Sequence, residues 1–422
     1  MHLENGSRVI IVGGGPAGSF TALQLLNQAA SANLQLRVSI LEPRDFNRPG
    51  LGSCNKCAGI LSSQLVRNLK RLQLQIPPEV IQSEIDTYIL HGGQVQLPIH
   101  VNDPQRRVVS IYRGSGPRLG DPPYPRSFDA WLLRQAEERG AVIYKTRALS
   151  IQAGPPPRAS TPNGDLEAEL LILATGVNGR LNLDPRLGYR QPQTETMAQD
   201  EIHMPGEQYT KNIHIFFDHP QGLIFGALIP KNRYVNISLL GHNLPGDAVT
   251  QFLTHHEMPG LPSQPNGLLC GCTPKVSVAP ARGFFGDRFA AVGDAAVTRL
   301  YKDGIGSAFI TAEAAVTTAV QRGVSRQDFA AGYLPACQEI ARDNAYGRLL
   351  FRLWAAARQT PGIRKAWMYA AISESRLPAA QRLHTNVLWG MLSGDESYRA
   401  MFWHVISIPS MFSVLRQLLP TM

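Results

Sequence analysis

The chain has 422 residues, 44% of them hydrophobic, and a formal net charge of +9. This length predicts two or three domains, or one large domain with an insertion, and the apolar content excludes a disordered, low-complexity chain. The basic excess serves solubility or favours an acidic neighbour such as an anionic lipid or a phosphorylated substrate. The basic residues are scattered and match no nucleic-acid-binding module, so we expect no nucleic-acid partner.

The expected compartment follows from the N-terminal sequence and from the cysteines. No apolar stretch of the signal-peptide type precedes the first predicted strand. Five cysteines, an odd number in a long chain, fit a reducing compartment. We therefore expect a cytoplasmic protein.

A dinucleotide-binding pattern opens the chain. An apolar strand at residues 8–12 ends in Gly-x-Gly-x-x-Gly and leads into a helix, where glycine allows a tight turn and close approach of a pyrophosphate. The next apolar run ends at Glu42, an acid expected to bind a ribose 2′-hydroxyl and to disfavour a 2′-phosphate. These features predict an adenine-dinucleotide site. Its assigned residues in this region are Gly13, Gly15, Pro16, Ala17, Gly18, Glu42, Pro43 and Arg44.

The predicted sheet continues after a Pro- and Gly-rich insertion at residues 46–125. The segment that begins at Arg126 indicates a helix, a stop at Gly140 and a strand. A further apolar strand ends in Ala174-Thr175-Gly176.

Alternating apolar residues between 214 and 240 predict an antiparallel sheet in a second domain, and the pattern is helical from about residue 325. The expected fold is α/β: a Rossmann-like, doubly wound parallel sheet, an antiparallel-sheet substrate domain and a C-terminal helical region. The predicted boundaries are 1–85, 126–180 and 275–325 for the nucleotide domain, 86–125 and 181–274 for the substrate domain, and 326–422 for the helices.

The pair Gly293-Asp294 follows a strand of buried type and precedes a helix. Alone it is a common turn dipeptide, but here it completes an ordered set of motifs. The set resembles the flavoprotein monooxygenase and reductase superfamily that includes para-hydroxybenzoate hydroxylase, over about residues 8–320. The resemblance implies bound FAD, with the pyrophosphate at the first glycine motif, the adenosine ribose at Glu42 and the ribityl chain at Asp294.

Within that superfamily the chain is similar to geranylgeranyl reductases at three places: residues 55–60, 222–237 and 293–306. It departs from them at Ala227, where those enzymes have Trp, and at Phe225, where they have Tyr. Ala-Thr-Gly also replaces the common Ala-Asp-Gly. The further cofactor contacts that the resemblance implies are Lys56, Cys57, Ala58, Arg126, Ala174, Thr175, Gly176, Gly293, Asp294, Gly304, Ile305 and Gly306. The implied substrate residues are Phe225, Ala227, Ile229 and Pro230.

The resemblance implies an FAD-dependent oxidoreductase that reduces carbon–carbon double bonds of a polyprenyl chain. A flavin monooxygenase acting on an aromatic or isoprenoid compound, and a flavin-binding protein without turnover, are the alternatives. Cys57 and Asp303 are the candidate catalytic residues, although Asp303 is equally suited to be a helix N-cap. Since the chain has one dinucleotide fingerprint, NAD(P)H would be a transient donor, or a carrier such as ferredoxin would replace it. C-terminal segments that mix apolar, aromatic and basic residues favour peripheral membrane contact.

The cysteine pairs Cys54-x-x-Cys57 and Cys270-x-Cys272 allow more than one interpretation. A four-thiolate zinc site is disfavoured because about 200 residues separate the pairs. A redox dithiol at Cys54 and Cys57 is possible, since Lys56 would lower a thiolate pKa. The simpler interpretation is one cysteine beside the flavin and one incidental neighbour. No metal site is expected.

Overall fold

The computed structural model describes residues 1–50, 52–54, 58–92, 95–101, 103–179, 181–256, 258, 267–374, 377–378 and 381–418. Lys56 and Cys57 lie outside these ranges, so their assigned roles remain predictions. The helices are α1 (Pro16–Ser31), α2 (Ser63–Arg71), α3 (Phe128–Glu138), α4 (Ala248–His255), α5 (Gly304–Gln321), α6 (Arg326–Gly332), α7 (Leu334–Gln359), α8 (Pro361–Ser373), α9 (Leu383–Ser393), α10 (Tyr398–Val405) and α11 (Ile408–Leu418).

In the described part of the chain, the strands form four sheets. They are β1 (Arg8–Val12), β2 (Arg37–Leu41), β3 (Ile60–Leu61), β4 (Ile81–Ile85), β5 (Thr87–Gly92), β6 (Val95–His100), β7 (Val108–Ile111), β8 (Val142–Tyr144), β9 (Ser150–Gln152), β10 (Arg158–Thr161), β11 (Gly164–Glu167), β12 (Leu170–Leu173), β13 (Asn182–Leu183), β14 (Thr194–His203), β15 (Asn212–Phe216), β16 (Leu223–Lys231), β17 (Tyr234–Gly241), β18 (Lys275–Ser277), β19 (Phe285–Gly286) and β20 (Phe289–Ala291).

The nucleotide-type sheet has the order β19-β20-β12-β1-β2-β8, and its neighbours are parallel except for the edge pair β19–β20. Its central strand β1 is apolar on both faces, as expected for a buried parallel strand. Val9 and Ile11 pack in the cluster that includes helices α1, α3 and α5. Ile10 and Val12 pack against the small sheet β11-β10-β9-β13. Helices therefore cover one face, and short strands cover the other.

The second large sheet has the order β18-β14-β17-β16-β15-β5-β6. Five of its six pairings are antiparallel, as expected, whereas β5 and β15 are parallel. That pair joins strands from distant parts of the chain, which local alternation of residues does not reveal. The strand β18 belongs to this sheet although it follows residue 274, the predicted end of the substrate domain. A third sheet, β3-β7-β4, lies beside it.

The C-terminal helices pack against the second sheet. Ala371 of α8 and Leu388 and Trp389 of α9 join the apolar cluster that contains Tyr88 and Ile229. Helices α7, α9 and α10 enclose a further cluster around Tyr398. Within the described ranges, no helix has the length and apolar character needed to cross a membrane.

Candidate functional site

A cavity of about 640 Å³ joins the two large sheets and the C-terminal helices. Its lining includes the turn between β1 and α1, the segments after β2 and β12, and the start of α5. One face of β15 and β16 contributes, as do Phe351 of α7 and Met391 of α9. The cavity thus lies at the carboxyl ends of the parallel strands, the usual ligand position in an open α/β sheet.

The turn after β1 requires glycine at two positions. Gly13 has φ of +108°, and a Cβ added there would lie 2.6 Å from the carbonyl oxygen of Ala174. A Cβ on Gly18 would clash with the carbonyl oxygen of Gly13. Gly15, Pro16 and Ala17 line the cavity at the start of α1, where no described side chain caps the helix. This start can therefore bind an anionic group through its backbone N–H groups.

Glu42 lies at the cavity wall and is 2% exposed. Its two oxygens accept hydrogen bonds from Gly14 N at 2.9 Å and from Arg44 N, Nε and Nη2 at 3.0, 2.8 and 2.9 Å. Four donors match the usual capacity of a carboxylate. Glu42 therefore fixes both the glycine turn and the Arg44 side chain, and a ribose hydroxyl would have to displace one of these donors.

The predicted second cofactor motif contacts the first one. Gly293 has φ of +62°, and a Cβ there would lie 2.8 Å from Cβ of Ala17 on α1. The next residue, Asp294, lines the cavity. Burial raises the pKa of its carboxyl group, although the charge of Arg113 opposes that shift. Asp294 thus places a carboxylate at the cavity, next to a glycine that packs against the start of α1.

Asp303 precedes α5, has φ of +51° and lines the cavity. Its Oδ1 accepts a hydrogen bond from Oγ of Ser62 at 3.1 Å. Burial raises the pKa of Asp303 to about 6, against the lowering effect of Arg299. Gly304 and Ile305 also line the cavity, whereas Gly306 leaves room for the carboxylate, with which a Cβ would clash.

A lysine that the sequence analysis did not assign lies beside Asp303. Lys302 lines the cavity, and its Nζ donates to the carbonyl oxygen of Gly390 at 3.1 Å. Burial and the charge of Arg299 hold the pKa of Lys302 well below its usual range. Neighbouring acid and amine groups with shifted pKa values are typical of sites that move protons.

Alternate residues of β16 form the apolar wall. Phe225, Ala227 and Ile229 line the cavity, together with Ile213 and Ile215 of the neighbouring strand β15. This follows from the period of two in a strand. Pro230, the fourth predicted substrate residue, is not among the described lining residues, and its carbonyl oxygen accepts a hydrogen bond from Ser110.

The remaining predicted residues lie in different places. The cavity lining includes Pro43, Ala58, Ala174, Thr175 and Gly176. It does not include Gly18, Gly293 and Gly306, which lie where a Cβ would clash with a neighbouring atom. Arg126 is exposed and is absent from the described lining.

Arg113 occupies the cavity instead and pairs with the fully buried Asp129 at 3.0 Å. The sequence indicates only indirectly that Arg113 lies at the site. A buried acid in the first turn of a helix needs a cation, but spacing alone does not identify which one.

Of the two cysteine pairs, Cys54, Cys270 and Cys272 lie in the described part of the chain. The thiols of Cys270 and Cys272 interact, which lowers the pKa of Cys270 and raises that of Cys272. Because Cys57 lies outside the described residues, the interpretations of its pair with Cys54 remain predictions.

Comparison with known proteins shows the fold. No family model matches the chain. A stretch of 105 residues is 34% identical to the protein FixC of Azotobacter vinelandii, and it covers 22% of this chain and 25% of that protein. The chain thus matches about a quarter of the length of this curated relative.

Solved structures cover far more of the chain at lower identity. A geranylgeranyl bacteriochlorophyll reductase-like protein from Thermoplasma acidophilum has a TM-score of 0.67 at 16% identity, covering 99% of this chain and 100% of that one. A flavoprotein/dehydrogenase from Cytophaga hutchinsonii has a TM-score of 0.66 at 16% identity, covering 97% and 99%. A triple mutant of the flavin-dependent brominase Bmp2 has a TM-score of 0.60 at 15% identity, covering 94% and 98%. The predicted fold class is confirmed: the chain has the Rossmann-like α/β fold of these proteins.

Proposed function

We propose that this protein is an FAD-dependent oxidoreductase that reduces carbon–carbon double bonds of a prenyl-type apolar chain. The observation that carries the proposal is the continuity of one cavity from the glycine turn of β1 to the apolar face of β16. The same space that would accept a dinucleotide at one end therefore offers an apolar surface at the other.

The residues present fit FAD. A Cβ at Gly13 would fill the close approach between β1 and β12, where the dinucleotide cradle requires only backbone. The starts of α1 and α5 both border the cavity and present the positive ends of their helix dipoles. Asp294 offers a carboxylate for ribityl hydroxyls, and Arg113 offers a positive charge near it. When bound there, a flavin would supply hydride-transfer chemistry.

The chain's own contribution to substrate binding would be the wall of β15 and β16. Ala227 pairs with Ile215 on one side and with Ser238 on the other. The small Ala227 side chain leaves room where related reductases, according to the resemblance, carry Trp. A long unbranched or prenyl chain fits such an open apolar wall, and its burial also excludes water.

Asp303 would hold the proton that completes reduction of a double bond. Ser62 orients the carboxyl group through the hydrogen bond to Oδ1. A pKa near 6 keeps a useful fraction protonated close to neutral pH, which is the condition for an efficient general acid. Cys57 remains a second candidate from the sequence.

The electron donor would bind transiently. The sequence contains one Gly-x-Gly-x-x-Gly motif of the kind that holds a permanently bound dinucleotide, and the proposed FAD would occupy it. NAD(P)H, or a reduced carrier such as ferredoxin, would then deliver electrons from outside the cavity.

We also propose peripheral contact with a membrane, the place where a prenyl substrate would be found. Helix α11 exposes Ile408 at 83%, Phe412 at 68% and Leu415 at 56%, while its buried Ser410 faces the protein. Arg416 lies on the same helix and would favour anionic lipid.

The first experiment is an absorbance spectrum of the purified protein, followed by anaerobic addition of NADPH, NADH or dithionite. We expect a flavin spectrum that bleaches on reduction. The reduced protein, mixed with geranylgeranyl diphosphate, should give products that carry two additional hydrogens for each reduced bond, measured by mass spectrometry. A protein that takes up no FAD would overturn the proposal.

Two other outcomes would identify the alternatives. NAD(P)H oxidation coupled to oxygen uptake, with oxygen inserted into an aromatic or isoprenoid compound, would identify a monooxygenase. Bound flavin that accepts electrons from neither pyridine nucleotide nor ferredoxin, and that reduces no substrate after dithionite treatment, would identify a flavin-binding protein without turnover.

The substrate wall has its own test. Ala227→Trp should reduce turnover of the prenyl substrate at least tenfold, because an indole ring would occupy the apolar wall. Flavin content should stay unchanged, since Ala227 lies on β16, away from the glycine turn. The same substitution at the exposed Ala331 of α6 is the matched control and should leave turnover unchanged. Equal turnover in both variants would contradict the assigned wall.

A further inference from the structure

Two histidines and an aspartate lie close together outside the cavity of about 640 Å³. His255 ends α4, His256 follows it, and Asp218 lies in the loop after β15. Each side chain offers one ligand atom, and these atoms all lie within 4.8 Å of one another. None of the three lines the cavity described above. In the described part of the chain, this is the group of His, Cys, Asp and Glu side chains that meets the spacing for a metal ion.

We propose that Asp218, His255 and His256 bind one divalent transition-metal ion of the zinc class. Two imidazole nitrogens and one carboxylate oxygen form a donor set that Zn²⁺ and its neighbours in the first row prefer. Ligand atoms about 2.0–2.1 Å from a tetrahedral ion lie roughly 3.3 Å apart. Nε2 of His256 and Oδ1 of Asp218 are 3.7 Å apart, so a small side-chain rotation brings them into place.

Neighbouring rings hold the two imidazoles in position. The ring of His219 stacks on that of His255, with centroids 4.3 Å apart and planes at 21°. Phe216 and Phe252 pack against His256 at centroid distances of 4.5 and 4.7 Å. Fixed ligand orientation strengthens metal binding, because little rotational freedom is lost when the ion enters.

The site borders a second cavity of about 320 Å³. Asp218 and His219 line it, together with Trp354 and Arg364 from the C-terminal helices. Three protein donors leave one position of a tetrahedral ion for water or another small ligand. The backbone carbonyl oxygen of Asp218, which is 3.4 Å from Nε2 of His256, is a further donor within reach.

An ordinary ion pair between Asp218 and His256 is the competing explanation, and it does not require His255. A pair between Asp218 and His256 needs only those two side chains, and His255 would be dispensable. Coordination of an ion needs both imidazoles. The contribution of His255 to metal binding therefore discriminates between the two explanations.

The experiment uses the full-length purified protein, treated with a chelator and then dialysed. Zinc chloride is titrated in by calorimetry, and bound metal is counted by mass spectrometry. We expect one zinc ion per chain with micromolar or stronger affinity. His255→Ala and His256→Ala should each weaken binding by about tenfold or more. At the same zinc concentration, the melting temperature of the unsubstituted protein should rise more than that of either variant.

His203→Ala is the matched control, because Nε2 of His203 lies 3.9 Å from Oδ2 of Asp121 in an exposed pair that belongs to no described three-residue group. It should keep full zinc affinity. Since His255 is exposed, its replacement should leave the fold intact. The absence of saturable binding would overturn the proposal, and so would unchanged affinity in His255→Ala, which would assign the zinc to other ligands such as cysteines. Neither result bears on the flavin cavity.

Discussion

Asp303 couples stability to the proposed chemistry. Its folded-state pKa of about 6 lies above the value of about 3.9 for an unfolded chain. The folded protein therefore holds this proton more tightly, and stability from this group is lost as pH rises from about 4 through about 6. A carboxylate that is costly to bury at neutral pH is the expected property of a retained proton donor.

The substitution Asp303→Asn should distinguish the effect of Asp303 on stability from its effect on turnover. At pH 7.5 the flavin-free variant should be more stable than the parent by about 1–3 kcal/mol, because the amide carries no charge to desolvate. The difference should disappear below about pH 4. Denaturant unfolding at several pH values measures it.

Turnover of the same variant should fall roughly a hundredfold, since an amide does not supply the proton. Asp247→Asn is the control, because Asp247 also precedes a helix but is exposed. Loss of stability with unchanged turnover in Asp303→Asn would assign Asp303 to the helix start alone.

Glu42 and Arg44 allow a second test at the scale of single residues. Arg44→Leu removes two of the four hydrogen bonds to the buried carboxylate, those from Nε and Nη2. We expect the flavin-free variant to lose about 1–3 kcal/mol of stability. FAD should then raise the melting temperature of the variant more than that of the parent, because ribose hydroxyls would satisfy the vacated acceptors. A smaller rise would indicate that Glu42 acts through Arg44 rather than on the ribose.

Helix α11 has an inverted distribution of polar and apolar residues. Ile408, Met411, Phe412 and Leu415 recur at helical spacing on its exposed side, whereas Ser410 is buried with its Oγ 3.2 Å from Nε2 of His384. A surface helix normally shows the opposite arrangement. The exposed stripe is the surface through which the proposed membrane contact would be made.

The double substitution of Ile408 and Phe412 by Glu should weaken binding to vesicles that contain phosphatidylglycerol by about tenfold or more, since burying one such side chain contributes about 1.5–3 kcal/mol. Co-sedimentation measures the bound fraction. Leu119→Glu is the control, because Leu119 is 58% exposed and lies outside the C-terminal helices. Added salt should also weaken binding by screening Arg416. Equal binding by the double variant and the control would exclude α11 as the contact.

At the scale of the whole molecule, local patterns predicted the elements better than their assembly. The glycine turn, the end of β2 and Gly293-Asp294 lie around one cavity because short motifs carry their own backbone requirements. The entry of α9 into the cavity wall and the pairing of Arg113 with Asp129 depend on contacts between distant segments. Periodicity and spacing contain no information on such contacts. The sequence therefore predicts Arg126 as a cofactor contact, whereas the structure has Arg113 at the cavity.

Because the cavity is lined by both large sheets and the C-terminal helices, FAD should stabilise these parts together. At a hundredfold excess over its Kd, FAD would add about 3 kcal/mol to stability. Hydrogen exchange should slow at the starts of α1 and α5 and at residues 293–295. The hairpin of β10 and β11, which contributes no described residue to the cavity, should exchange unchanged. Protection confined to β1 and α1 would mean that the ligand occupies only the nucleotide half, and the proposed role of Asp294 toward the ribityl hydroxyls would be wrong.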